Sequence, residues 1–277
     1  MANTLSGSKV GLFVDVVNLY RNGGQRLRYD VLREFATRDG AKPVRLNAYV
    51  SYDRLRAEED PEYKRKTFGF HAALRELGYK VVVKPISVYL DEGGNRVSST
   101  HTELEMAVDI LLQSQKLDRI LLASGDGTFV RLVRALQDQG LQVEVVALEN
   151  SSNELRLEAD LFLSGYLIPD LIPIPGDRQQ TWGEVGSRVR GWCYWHHREE
   201  MYGFMRYLKE IAPGLWLSDT RHPDSPYGTA FFHDSNLPYE VVSEDLPNRE
   251  LLFEFKLVEA ERQEGMQAID IQMVSQL

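Results

Sequence analysis

The apolar positions follow two different rhythms, one before and one after about residue 168. Residues 10–14 (VGLFV) form an unbroken apolar run, as in strands covered on both faces. Residues 29–36 have helical spacing, whereas residues 44–51 alternate and carry β-branched and aromatic side chains. Residues 63–77 read as a helix closed by Gly78. After a strand at 81–83, a long helix is expected at 102–115, where Thr102 and Glu105 resemble a capping box behind a loop at 95–100. A strand at 119–123, a helix at 129–139 and a strand at 143–148 follow. This alternation predicts an α/β domain over residues 1–167, with a doubly wound, mostly parallel sheet. In such sheets ligands bind beyond the carboxyl ends of the strands.

Residues 168–185 are proline-rich and read as a linker. Beyond them, short β-like runs at 189–195, 203–208, 215–217, 229–232, 251–258 and 268–274 are separated by Gly, Pro, Asp and Asn. That texture predicts a small all-β barrel over residues 186–277.

Three carboxylates fall where the α/β rule places a site. Asp15 follows the first strand, Asp126 follows the strand at 119–123, and Glu103 opens the long helix. Hard oxygen ligands of this kind suit Mg²⁺ or Mn²⁺, and a metal held there would act on a phosphodiester. Taken singly, each acid is equally at home as a turn former or helix cap. Lys64, Arg65, Lys66, Arg75, Lys80 and Lys84 are candidates for phosphate contact, or a solvated face. His101 is a candidate for proton transfer, or a loop histidine.

The segments FVDVVNL (13–19), TELEMAVD (102–109) and SGDGTF (124–129) resemble the NYN family, PIN-like nuclease relatives that include LabA-like bacterial proteins. The resemblance implies a catalytic, metal-holding trio of Asp15, Glu103 and Asp126, with Asp109 matching a further recurrent acid. Asn18, Ser124 and Thr128 would contact the phosphate or the metal's waters. On a helix, Asp109 lies about 120° round and about 9 Å along from Glu103, which argues against their sharing one ion. The chain departs from the family pattern at Glu103, commonly Asp, and at Thr128, where a second Asp is common. The second change removes charge that would hold another metal, and it leaves open a protein that binds nucleic acid without cutting it.

In the second region Trp195, Tyr202, Phe204, Phe231 and His233 stand in short strands. Tyr202 and Phe204 are two apart and share a face, as do Phe231 and His233. Paired, such strands would form a surface on which bases stack. YGFM (202–205) and FFH (231–233) resemble the two nucleic-acid motifs of the cold-shock domain, an OB-type barrel, and the likeness covers about residues 186–275. His196, Met201 and Asp234 depart from its pattern, and residues 209–228 read as an insertion.

The expected activity is therefore a metal-dependent ribonuclease acting on single-stranded RNA, with DNA left open. A non-catalytic RNA-binding regulator and a protein-interaction adaptor are the alternatives. Composition adjusts this in small ways. The net charge of −9 weighs against a generally basic nucleic-acid binder. One cysteine, Cys193, excludes a disulfide framework within the chain and a cysteine zinc site, and favours a reducing cytoplasm. No apolar run is long enough for a membrane span. A homodimer is left open.

Overall fold

In a computed structural model, which describes residues 7–90, 96–99, 102–176, 180–260 and 265–276, the chain divides into two compact units. The first takes in the chain up to Gln25 together with Leu32–Phe162, and the second Arg26–Val31 with Leu163–Leu277.

The first unit begins with β1 (Lys9–Asp15), α1 (Val16–Arg21), α2 (Tyr29–Ala36), β2 (Lys42–Tyr52), α3 (Arg54–Glu59), α4 (Pro61–Glu76) and β3 (Lys80–Pro85). It continues through a hairpin of β4 (Ser87–Leu90) and β5 (Arg96–Ser99), then α5 (Thr102–Gln113), β6 (Arg119–Ala123), α6 (Val130–Gln137), β7 (Gln142–Ala147), α7 (Asn153–Glu158) and β8 (Leu161–Ser164). The six-stranded sheet has the order β3-β2-β1-β6-β7-β8. The β3–β2, β2–β1, β1–β6 and β6–β7 pairs are parallel. The chain steps outward from β1 to β3 and then returns to β6 on the other side of β1, so the direction of winding reverses between β1 and β6. Such a switch point opens a crevice at the carboxyl edge.

The apolar runs behave as expected. Every residue of β6 is buried, as are all of β1 after Lys9, and Phe13, Ile120, Leu122, Val143 and Val145 join Met106, Ile110 and Val133 in one core cluster. An ionic network is buried with the sheet. Arg38 donates to Glu144 Oε1 at 2.7 Å, and Arg119, the first residue of β6, bonds to Asp39 at 2.9 Å and to the Ala36 carbonyl at 2.8 Å.

The second unit is a closed barrel of β9 (Arg188–His197), β10 (Tyr202–Leu208), β11 (Tyr227–His233), β12 (Asn248–Glu259) and β13 (Met266–Gln276), ordered β10-β11-β13-β12-β9. The β11–β13 pair is parallel and the other pairs antiparallel. Alternation sends Val189, Cys193, Met205, Phe232, Phe253, Phe255 and Leu257 into its core. Gly203 is required by a close approach, because a Cβ there would lie 2.7 Å from the Phe232 ring.

Several elements differ from expectation, α1, α3 and β4 among them. Residues 96–99 form β5 rather than a loop, and α7 and β8 extend the sheet beyond the strand expected at 143–148. Residues 215–217 are not a strand. Gly214, at φ +78°, starts a turn in which Leu217 N donates to the Gly214 carbonyl at 2.8 Å. The Leu215 and Leu217 carbonyls are instead taken by the Tyr227 and Ser225 hydroxyls.

Candidate functional site

β1 ends on Asp15 beside β6, with Val14 paired to Ala123. Asp15 caps α1, its Oδ1 accepting from the Asn18 amide at 3.0 Å, and its Oδ2 accepts from the Ser124 hydroxyl at 3.3 Å. Asn18 returns the contact, its Oδ1 accepting from Gly125 N–H at 2.9 Å. Ser124 Oγ accepts from Asp126 N at 3.2 Å, and Asp126 Oδ1 accepts from Thr128 N at 2.8 Å, capping a 3₁₀ turn over Gly127–Phe129. The segment packs against Ser151 and Ser152. A Cβ on Gly127 would meet Ser152 Oγ at 2.8 Å, so a larger residue there would have to displace the Ser152 side chain.

Asp15 is only 2% exposed. Burial first, then the charges of Glu103 and Asp126, push its carboxyl up to about 6 against the opposing bonds from Asn18 and Ser124. Residues 15, 103 and 126, far apart in sequence, are therefore electrostatic neighbours. Asn18 and Ser124 touch this cluster directly, and Thr128 reaches it through its backbone while its residue is exposed.

Asp109 has a different position. It accepts from the Tyr49 hydroxyl at 2.9 Å, one turn before Gln113, which accepts from Asn47 at 3.1 Å. The i, i+4 pair ties α5 to β2. His101 lies outside the described residues. Lys84 is ion-paired with Glu105.

The donor set suits a hard divalent cation. A buried carboxylate with two acids near it carries negative charge that such an ion would relieve. As the side chains stand, no three His, Cys, Asp or Glu among the described residues are grouped closely enough to hold a metal. Glu103 is half-buried in the first turn of α5.

The aromatics of the barrel do come together. Register pairs Tyr202 with His233 and His197, and Phe204 with Phe231 and Trp195. Ring centroids are 5.5 Å apart for Trp195–Tyr202, 5.7 Å for Trp195–Phe204, 5.6 Å for Tyr202–Phe231 and 5.9 Å for Phe204–Phe231. Trp195 is 40% exposed, and the other three are half-buried. The β9–β10 register shifts between Phe204 and Met205, which leaves Tyr194 as an extra residue. This bulge changes the alternation, so that Trp195 shares the outer side with Tyr194 while His196 turns inward.

Inside, the His196 side chain is fully buried, stacks on Phe232 and pairs with Asp234 at 2.8 Å. Asp234 also accepts from the Ser243 hydroxyl. Two of the three departures from the cold-shock pattern, His196 and Asp234, are thus partners in one contact. His233 sits at the platform's end, where its Nδ1 accepts from Ser235 N at 3.2 Å and caps a short turn.

Residues 9–169 match the family described as the NYN domain. This chain belongs to the NYN family. The Low amplitude and bright protein LabA of Synechococcus elongatus is 32% identical over 163 residues, which is 56% of this chain and 83% of that protein. A crystal structure of a Vibrio parahaemolyticus protein of unknown function is 26% identical, with a TM-score of 0.47, and covers 58% of this chain and 94% of its own. The NYN domain is a PIN-like nuclease domain, which ties the chain to nucleic acid.

The NYN match covers the acidic centre and stops short of the barrel strands. Among the barrel residues, sequence reasoning missed His197, parallel to Tyr202 at 5.7 Å and 3°, and Tyr194, over whose ring Arg206 lies at 4.1 Å. Adjacent aromatics in a strand are the only sequence signal for them, and simple alternation discards half. Among the described residues no helix is long and apolar enough to cross a membrane.

Proposed function

We propose that this NYN protein is a metal-dependent ribonuclease whose C-terminal barrel, of the OB cold-shock type and spanning residues 186–277, binds single-stranded RNA. The observation that carries the reading is the buried Asp15, whose carboxyl is raised to about 6 by burial first and then by the charges of Glu103 and Asp126. Three carboxylates feel one another's charge at an edge where α/β sheets bind ligands. Asp15, Glu103 and Asp126 would hold Mg²⁺ or Mn²⁺. When bound, the ion supplies Lewis acidity toward the phosphodiester and a water of lowered pKa. Asn18 and Ser124 keep both Asp15 oxygens oriented, and the Asp126 cap on its turn fixes the third acid.

The five-stranded closure with one parallel pair supports an OB-type barrel. Trp195, Tyr202, Phe204 and Phe231 would stack bases without strong sequence preference, and His233 would border them. The single buried cysteine fits a reducing cytoplasm.

The test is incubation of the chain with labelled single-stranded RNA in Mn²⁺, Mg²⁺ or EDTA, beside Asp126→Asn. Cleavage that requires metal and is lost in the variant supports the nuclease. The second reading is an RNA-binding regulator without cleavage, favoured by Thr128 and by the present spread of the carboxylates. RNA left intact but retained by the chain would establish it.

A further inference from the structure

Building on the RNA reading above, we propose that α4 and the end of β2 form a second contact surface for single-stranded RNA, on the NYN domain itself and beside the acidic centre. Asp15 pairs with Tyr49 across β1 and β2, and β2 continues to Tyr52. Tyr52 therefore stands about 10 Å farther along the same carboxyl edge. Its ring stacks on Tyr63 of α4 at 6.3 Å and 14°, and meets Phe68 at 5.8 Å. The Arg56 guanidinium lies over Tyr63 at 4.5 Å. Phe68 is 51% exposed, which is unusual for a phenylalanine already in contact with two other rings.

The charge on this helix runs against that of the chain. With a net charge of −9 overall, residues 63–75 contain Lys64, Arg65, Lys66 and Arg75 and no carboxylate. Lys66 is held by Glu62 at 2.8 Å. Among the described residues, Lys64, Arg65 and Arg75 make no ion pair with a carboxylate. Arg65, Phe68, Gly69 and Ala72 follow the i, i+3, i+4, i+7 spacing of one helix face, and all four are exposed.

Gly69 is the most informative of these positions. A Cβ there would meet nothing within 4 Å, so packing does not call for glycine in the middle of a sixteen-residue helix. Glycine weakens a helix interior, but it lets a ligand approach the backbone closely. A face with an exposed ring, a gap and unpaired cations suits an anionic polymer with flat bases. A merely solvated helix face needs neither the ring nor the gap.

The experiment measures affinity of the full chain for a labelled poly-U strand in EDTA, as a function of salt. Lys64→Ala with Arg65→Ala should lower the slope of log K against log salt by about 1.4, the value for two phosphate contacts to a single strand. Phe68→Ala should weaken binding about tenfold, within the range for losing one stacked base. Gly69→Ala should weaken binding while raising the thermal midpoint, a pair of changes that a structural role does not produce. Photo-cross-linking should place RNA on the peptide containing Phe68.

An unchanged salt slope, or cross-links confined to the barrel, would overturn this surface and leave the ribonuclease reading standing. If the unmodified chain fails to bind the strand at low salt, this surface and RNA binding by the barrel both fall. Metal-dependent cleavage lost in Asp126→Asn tests the acidic centre separately.

Discussion

Replacing Asp15 by Asn should make the protein more stable at neutral pH while removing the charge its proposed activity needs. The Asp15 carboxyl, 3.8 in an ordinary setting, is raised to about 6 in the folded protein. At 1.36 kcal/mol per pH unit, this difference amounts to about 3 kcal/mol. The folded state holds the proton more tightly than the unfolded chain, so the group favours folding at low pH. That advantage is lost as pH rises from about 3.8 through about 6, and above this range the full 3 kcal/mol opposes folding. Asn keeps an acceptor for the Asn18 amide, and the Ser124 hydroxyl can rotate to accept from the new NH₂.

The assay is urea unfolding in EDTA. Helices α1–α7 all precede β8, whereas Trp182, Trp192, Trp195 and Trp216 all follow it. Far-UV ellipticity therefore follows mainly the NYN domain, and tryptophan fluorescence follows the barrel. Asp15→Asn should gain up to about 3 kcal/mol by ellipticity near pH 7.5, about half of that near pH 5, and little near pH 4, with the fluorescence transition unmoved. A gain independent of pH, or no gain at all, would refute the claim that buried, crowded charge resides on Asp15.

Thr128→Asp places a carboxylate two residues from Asp126 and should raise Mn²⁺-dependent cleavage at least about tenfold, scored on the same labelled RNA; an unchanged rate would remove Thr128 from the account. Glu144→Gln leaves Arg38 and Arg119 buried without their shared partner and should cost about 3–5 kcal/mol in the ellipticity transition. Phe204→Ala with Phe231→Ala should cut affinity for single-stranded RNA by about 1–3 kcal/mol for each base no longer stacked, read by fluorescence anisotropy. Equal affinity would instead favour the adaptor reading of the barrel. Asp234→Ala should destabilise the barrel by about 1–3 kcal/mol by stranding His196 and Ser243, and should move the fluorescence transition alone.

The acidic centre was legible because strand ends and helix starts are marked in the sequence by unbroken apolar runs, and the α/β rule says at which end to look. Asp109 shows where motif order stops being informative. Its place in the motif suggests a part in the catalytic set, whereas its place on α5 directs it to Tyr49. The hairpin β4–β5 and the helix α7 were not legible, since short segments of mixed polarity carry no clear period. On the barrel, residues 202, 204 and 231 were found by simple alternation. His196 could not be understood without Asp234, thirty-eight residues away.

The single extra residue at Tyr194 also bears on how such a surface can change over evolution. Because it sets the phase of everything after it in β9, deleting it would send Trp195 toward the core and His196 to the outside. Point substitutions can change which rings the platform carries, but only an insertion or deletion can change which residues belong to it. Among relatives with this barrel, length variation at this position would therefore separate barrels that keep the aromatic platform from those that lose it more cleanly than the identity of any one aromatic.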